Sequence, residues 1–98
     1  MAHRVGYSPA ARRDLEELYD FIAERASPEV ALAYLLRIET RCVDLATFPE
    51  RGTRRDDLEP GLRTMGFERR VTIAFHVGAT SVTIDRVLYG GRNLADTF

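Results

Sequence analysis

The segment Arg70–Tyr89, RVTIAFHVGATSVTIDRVLY, alternates apolar and polar residues through most of its length, and the architecture of the chain follows from it. A period of two residues is typical of strands with one buried side. Gly78-Ala79 interrupts the alternation with a tight turn, so the segment predicts two antiparallel strands, over 70–77 and 80–89. The same period predicts a further strand over Leu62–Phe67, which completes a meander of three.

Two helix starts precede these strands. Ser8-Pro9 and Ser27-Pro28 each combine a capping hydroxyl with a proline at the first helical position. Apolar residues at three- and four-residue steps then predict helices that run to about Arg25 and about Thr47. Because only a few residues separate the two helices, they must fold back on each other as an antiparallel hairpin. Residues 3–7 predict a short first strand.

The predicted order of elements is β-α-α-β-β-β, in a single domain that spans residues 1–98. The helical hairpin needs an apolar surface to cover, and the antiparallel sheet offers one. The sequence therefore predicts an α+β fold with the hairpin packed on one face of the sheet and the other face left open. Phe48–Gly61, between the helices and the meander, is rich in proline, glycine and charge, and it predicts a loop.

Composition excludes several classes of protein. A chain of 98 residues has no room for a separate cofactor domain, and 45% hydrophobic residues are typical of a folded globular chain. Cys42 is the only cysteine, and the two histidines, His3 and His76, share no ligand spacing, so we expect neither a disulfide nor a metal site. The sequence contains no apolar run of membrane-spanning length and no apolar signal segment at its start. We expect a cytoplasmic protein without cofactors.

All fourteen basic residues are arginines, and the net charge is −1. The arginines that could face phosphate are Arg51, Arg54, Arg55, Arg63, Arg69 and Arg70. Arg54 and Arg55 are followed closely by acids, however, so solvated ion pairs within the loop are the simpler interpretation. A net charge near zero disfavours independent binding to DNA. Exposed arginines on an open sheet face fit an acidic protein segment better.

Arg86 is the most informative charged residue. Its parity in the last predicted strand is that of Val82, Ile84 and Leu88, so an unbroken strand would turn its side chain toward the apolar layer. A buried guanidinium needs a carboxylate partner. One interpretation is an ion pair with an acid of the helical segment, for which the candidates are Asp14, Glu17 and Asp44. The alternative places the guanidinium at the edge of a cleft where a partner binds.

Four segments of the chain resemble the RelE/ParE superfamily of bacterial toxins, and its ParE branch best. Ser8–Leu15, SPAARRDL, resembles the opening of the family's first helix, and Leu45–Gly52, LATFPERG, resembles the end of its second helix. Leu62-Arg63 begins the next strand as in the family, and Ile84–Asn93, IDRVLYGGRN, resembles its closing segment. In this order and spacing the four segments span residues 8–93, so the resemblance extends over nearly the whole chain.

The resemblance implies a toxin that acts on a larger macromolecule. Members of the RelE branch cut mRNA on the ribosome, whereas members of the ParE branch poison DNA gyrase and lack the nuclease residues. Arg92 aligns with a late arginine of the nucleases, but Phe98 occupies the position of their tyrosine, and the chain has no lysine. The nuclease set is therefore incomplete, which favours a ParE-type gyrase inhibitor without catalytic residues of its own.

The resemblance also implies a cognate ParD-like antitoxin, whose C-terminal segment wraps the toxin and whose N-terminal part binds DNA. DNA would then be reached only indirectly. The residues expected to contact the antitoxin or gyrase are Arg63, Arg70, Arg86, Tyr89 and Arg92. The tail from Gly90 onward is expected to contact the target. Two alternatives stay open: a ribosome-dependent mRNA endonuclease that uses Arg92, Arg63 or Arg70, and His76, and an inactive toxin kept only as an antitoxin-binding co-repressor.

Overall fold

The computed structural model describes residues 3–90 and 94–98, which form two α-helices and one five-stranded sheet. The helices are α1 (Pro9–Arg25) and α2 (Pro28–Val43). The strands are β1 (Arg4–Tyr7), β2 (Thr53–Arg54), β3 (Leu62–Phe67), β4 (Val71–Val77) and β5 (Ser81–Tyr89). Short 3-10 helices cover Asp44–Ala46 and Leu94–Asp96. Neither α1 nor α2 has the length and apolar character that a membrane crossing would require.

Both predicted helix starts are present. The Ser8 hydroxyl accepts a hydrogen bond from the Ala11 amide at 3.0 Å, and the Ser27 hydroxyl accepts one from the Val30 amide at 3.1 Å. Each cap satisfies an amide that the first helical turn leaves unpaired. The proline after each cap is tolerated, because the backbone amide hydrogen that it lacks would have no acceptor within the helix. The second helix ends at Val43, and a 3-10 helix over Asp44–Ala46 takes the place of its last turn, which was predicted to run to about Thr47.

The five strands lie in the order β1-β5-β4-β3-β2. The helical hairpin packs on one face of this sheet, so the predicted α+β class is confirmed. The sheet is mixed, however, and not antiparallel throughout: β1 runs parallel to β5, while the other neighbouring strands are antiparallel. The chain passes through both helices and most of the meander before β5 returns beside β1, and this long crossover gives the two strands the same direction. The two-residue strand β2 lies within the predicted loop.

A β-bulge interrupts the pairing of β4 with β5. Phe75 pairs with Ile84, whereas the preceding Ala74 pairs with Arg86, so Asp85 has no partner on β4. An extra residue in one strand reverses the side of the sheet that the following side chains occupy. The sequence prediction assumed an unbroken period of two and therefore did not contain this step.

The bulge corrects the predicted position of Arg86. The sequence placed Arg86 and Leu88 on the apolar side together with Val82 and Ile84. In the structure Val87 joins Val82 and Ile84 in the core cluster beneath the helices. Arg86 and Leu88 alternate with Val87, so their side chains leave β5 on the opposite side of the sheet.

The main core lies between the helical hairpin and the sheet. Its fully buried side chains include Phe75, Ile38, Leu45, Ile73, Ile84 and Cys42. Burial raises the pKa of the Cys42 thiol to about 11, which makes it an unreactive core residue. The prediction of an open second face is wrong in part, because Leu62, Ala74 and Leu88 lie on that side and are at most 3% exposed.

The turn before β2 generates a test of the fold. Gly52 has a φ of 78°, and a Cβ added there would lie 2.2 Å from the Thr64 carbonyl oxygen. We expect Gly52→Ala to destabilise the chain by about 1–3 kcal/mol in urea denaturation, because it combines a left-handed backbone with an overlap against β3. Gly66→Ala is the control: an added Cβ meets no atom within 4 Å, so stability should be unchanged or slightly higher. Equal losses in the two variants would contradict this account.

Candidate functional site

Asp14 and Arg86 form a bidentate ion pair between α1 and β5. Arg86 Nε and Nη2 donate to the two carboxylate oxygens of Asp14 at 2.7 Å and 2.8 Å. The side chain of Asp14 is 4% exposed and that of Arg86 is 26% exposed. The predicted ion pair is therefore confirmed, with Asp14 as the partner among the three acids considered. Because the fold fixes the guanidinium, Arg86 can offer a binding partner only its remaining N–H groups.

Asp14 also completes the edge of the sheet. β1 pairs with β5 only as far as Ile84, and the outer edge of β5 beyond it has no strand neighbour among the described residues. Ser8 continues the contact, because its amide donates to the Ile84 carbonyl at 2.9 Å and its hydroxyl donates to the Asp85 carbonyl at 2.7 Å. The Val87 amide then donates to Asp14 Oδ2 at 2.9 Å. Helix α1 thereby covers a strand edge that would otherwise present unpaired backbone groups.

A groove of about 290 Å³ lies between α1 and the end of β5. Its lining residues are Asp14, Glu17, Leu18, Phe21, Val87 and Tyr89. Tyr89, one of the predicted contact residues, is half-buried there, with its ring centroid 5.4 Å from that of Phe21. The groove combines an apolar floor with an acidic rim, so it can hold an apolar side chain of a partner.

The turn between β3 and β4 has a strained backbone. Glu68 and Arg69 have φ values of 46° and 64°, in the left-handed region that costs L residues about 1–2 kcal/mol each. Arg37 on α2 holds Glu68 in place, because its Nε and Nη2 donate to the carboxylate at 2.9 Å and 3.2 Å and lower the pKa of Glu68. The sequence predicted a turn here, between the strands over 62–67 and 70–77, but not its left-handed backbone, since the glycine, asparagine or aspartate that normally signals such a backbone is absent.

Arg70 follows the strained turn, and its side chain is exposed. Its carbonyl accepts a hydrogen bond from the Gly90 amide at 2.8 Å, which brings the end of β5 beside the turn. Tyr89 lies next to it, because it pairs with Val71 at the start of β4. Two of the predicted contact residues therefore share one end of the molecule.

Arg63 lies apart from this end. Its Nη1 donates to the Arg51 carbonyl at 3.4 Å, and along β3 it is separated from the strained turn by about 13 Å. The fifth predicted contact residue, Arg92, lies outside the described residues. The structure therefore brings Arg70 and Tyr89 together and separates both from Arg63.

His76 belongs to a second polar cluster, on the side of the sheet away from the helices. Its Nδ1 lies 2.5 Å from Asp85 Oδ2, its Nε2 lies 3.2 Å from the Pro60 carbonyl oxygen, and a carboxylate oxygen of Glu59 lies 4.0 Å from Nε2. Because both ring nitrogens face acceptors, the geometry favours the imidazolium. Burial lowers the pKa of His76, but the hydrogen bond and charge of Asp85, with the Pro60 carbonyl and Glu59, outweigh burial and raise it. Burial raises the pKa of Asp85.

The residues of the nuclease alternative do not converge in the part of the chain that the structure describes. A general base needs a free nitrogen lone pair, whereas both nitrogens of His76 point at oxygen acceptors. Arg63 pairs with the core residue Phe75 and so leaves β3 on the helix-covered side, opposite to His76. Arg70 lies about 20 Å from His76 along β4. No common phosphate site is formed by these three side chains.

The geometry defines a small α+β protein with grooves and charged turns on its surface. Within residues 3–90 and 94–98, no group of three His, Cys, Asp or Glu side chains could hold a metal ion. The family model described as "ParE toxin of type II toxin-antitoxin system, parDE" matches residues 5–94. The chain belongs to this family of toxins. Toxin ParE3 of Caulobacter vibrioides is 37% identical to it over 82 residues, which are 84% of this chain and 81% of that protein.

Solved structures share the fold. A chain of the chromosomal ParDE toxin–antitoxin system from P. aeruginosa matches with a TM-score of 0.78 and 26% identity, over 91% of this chain and 97% of its own length. A chain of the RelBE2 toxin–antitoxin complex from Mycobacterium tuberculosis matches with a TM-score of 0.61 and 23% identity, over 94% and 95% of the two chains. At that lower identity, the second match supports the fold alone.

The His76 cluster predicts a pH dependence of stability. The pKa of His76 in the folded chain lies above its usual 6.5, so its contribution is fully present below about pH 6.5 and is lost as the pH rises through the raised value. As the pH rises through this raised value, we expect the free energy of unfolding of the native chain to fall relative to that of His76→Gln, whose side chain does not titrate. Urea denaturation between about pH 5 and pH 9 measures the difference. A difference that is constant with pH would contradict the imidazolium.

Proposed function

We propose that this toxin inhibits DNA gyrase by protein–protein binding and that a cognate ParD-like antitoxin neutralises it in the cytoplasm. Family membership defines the chain as the toxin of a type II toxin–antitoxin system. The proposal adds the target, the partner and the compartment. The observation that carries the target is the dispersal of the side chains that a ribonuclease would have to bring together.

Cleavage of RNA at a 2′-hydroxyl needs a base and cationic groups that converge on one phosphate. His76 and Arg63 lie on opposite sides of the sheet, and the guanidinium of Arg86 is bound to Asp14. A chain whose polar groups are separated in this way acts through the surfaces that it presents. This supports inhibition of gyrase by contact over catalysis on the ribosome.

An antitoxin partner is supported by the solved relative from P. aeruginosa, which belongs to a toxin–antitoxin system. Helix α2 also carries an outward apolar stripe: Leu32, Leu36 and Val43 are 53%, 52% and 55% exposed. Apolar side chains that are exposed at helical spacing are typical of surfaces that bind another protein. We infer that the antitoxin covers part of this stripe and connects the toxin to DNA, which the toxin contacts only indirectly.

A plasmid supercoiling assay with purified gyrase tests the target. We expect the purified toxin to accumulate cleaved plasmid in complex with gyrase, and we expect added antitoxin to reverse the effect. Cutting of mRNA in a translation reaction, with no effect on gyrase, would refute the target and establish the nuclease alternative. Absence of growth arrest on expression, with antitoxin binding retained, would instead indicate a co-repressor.

Arg92 and the tail that follows it are expected to contact the target. Deletion of residues 92–98 should abolish gyrase-dependent cleavage and leave antitoxin binding largely intact, because the helices and the sheet are retained. Because Leu94 and Phe98 are half-buried, the deletion removes more than exposed side chains, and Arg92→Ala is the smaller change. We expect Arg92→Ala to weaken gyrase inhibition about tenfold or more. Arg13→Ala, at an exposed position of α1, is the control and should inhibit normally. Full activity of Arg92→Ala and of the truncated chain would rule out this role.

A further inference from the structure

The strained turn between β3 and β4 carries two exposed arginines, Arg69 and Arg70. Their side chains have no ion-pair or hydrogen-bond partner among the described residues. Arg37, Arg54 and Arg55 are each bound to an acid, whereas the exposed Arg12 and Arg13 of α1 resemble Arg69 and Arg70 in having no such partner among the described residues. A guanidinium without a partner presents a planar fork of donors that fits a carboxylate. The turn therefore presents two cations that the fold itself does not use.

This end of the molecule retains two local features that disfavour folding. Glu68 and Arg69 hold the left-handed backbone that glycine or asparagine would adopt with less strain. The hydroxyl of Tyr34 is buried without a hydrogen-bond partner within residues 3–90 and 94–98, although its ring packs on that of Phe67 with centroids 5.6 Å apart. Strain and unpaired polar groups concentrate at positions that function requires.

A groove of about 380 Å³ between α2 and β3 continues the surface from the turn. Its lining residues are Leu36, Arg37, Thr40, Arg41, Asp44 and Phe67. Arg37 and Arg41 are four residues apart and so lie on the same side of α2, and the apolar Leu36 is 52% exposed beside them. We define the turn-end surface as Leu36, Arg37, Arg41, Arg69 and Arg70.

We propose that the turn-end surface binds an acidic, partly apolar segment of the antitoxin. The proposal rests on the proposed function, which supplies the antitoxin as the partner, and adds the surface and the chemistry of the contact. The four arginines of this surface outnumber the two acids beside them, Glu68 and Asp44. Leu36 and the groove supply the apolar contact that a purely ionic surface would lack.

Charge favours an acidic polypeptide over a nucleic acid as the occupant. The whole chain has a net charge of −1. The acids on the exposed side of α1, which would repel an extended run of phosphates, are Glu16, Glu17, Asp20 and Glu24. A short acidic segment needs only a local positive patch. Its apolar side chains could also enter the groove beside Leu36, whereas a phosphate backbone has no such groups.

Calorimetric titration of the toxin with the purified full-length antitoxin tests the proposal. We expect Arg69→Ala/Arg70→Ala to weaken binding about tenfold or more and to reduce its dependence on salt, because charge-assisted contacts are lost. Arg12→Ala/Arg13→Ala removes the same charge from exposed positions of α1 and should bind like the native toxin. Native affinity of the turn variant, or an equal loss in the α1 variant, would overturn the proposal.

Arg69→Gly separates a binding role from a structural one. Glycine relieves the left-handed strain, so the melting temperature should rise, while the affinity for the antitoxin should fall because a guanidinium is lost. A turn with only a structural role would gain stability and keep its affinity, and that result would overturn the proposal. Failure of the native toxin to bind the antitoxin would refute the proposed partner, and this outcome is recognisable before any variant is measured.

Discussion

The carboxylate of Asp14 is 4% exposed and accepts hydrogen bonds from the Arg86 guanidinium and the Val87 amide, so α1 is tied to the last strand. β1 pairs with β5 only up to the pair of Tyr7 with Ile84, and the residue after Tyr7, Ser8, already caps α1. The remaining edge of β5 therefore depends on side chains of the helix for its backbone partners. A carboxylate buried in this way needs its cation, because an unpaired buried charge is strongly destabilising.

This arrangement divides the surface between structure and function. Helix α1 closes the edge of β5, whereas α2 and the turn between β3 and β4 keep apolar and cationic side chains exposed. The buried carboxylate of Asp14 and the half-buried guanidinium of Arg86 hold the fold together. The exposed side chains of Arg69 and Arg70 form no such ion pair within the described part of the chain. This distribution supports the proposed function of binding to other proteins, and the chain belongs to a family of toxins from type II toxin–antitoxin systems.

The elements that rest on local chemistry could be predicted from the sequence, and those that rest on distant pairing could not. Ser8-Pro9 and Ser27-Pro28 mark both helix starts, since a cap needs only its own neighbours. The parallel pairing of β1 with β5 depends on residues far apart in the chain. The bulge at Asp85 does shift the alternation, since Arg86 stands where a period of two places an apolar residue and Val87 is apolar instead, but the same pattern also fits a charge buried in a regular strand.

The candidate site divides in the same way. The partnership of Arg86 with a helix acid follows from the cost of burying a charge, so sequence reasoning reached it, although it assigned the wrong side of the sheet to Arg86. The turn at Glu68 and Arg69 was predicted, but its left-handed backbone was not, because neither residue favours that conformation. A double-mutant cycle in urea denaturation with Asp14→Ala, Arg86→Ala and the double variant measures directly how much the fold depends on this ion pair. We expect a coupling free energy of about 1–3 kcal/mol between Asp14 and Arg86, and additivity within about 0.5 kcal/mol would contradict the dependence of the fold on their ion pair.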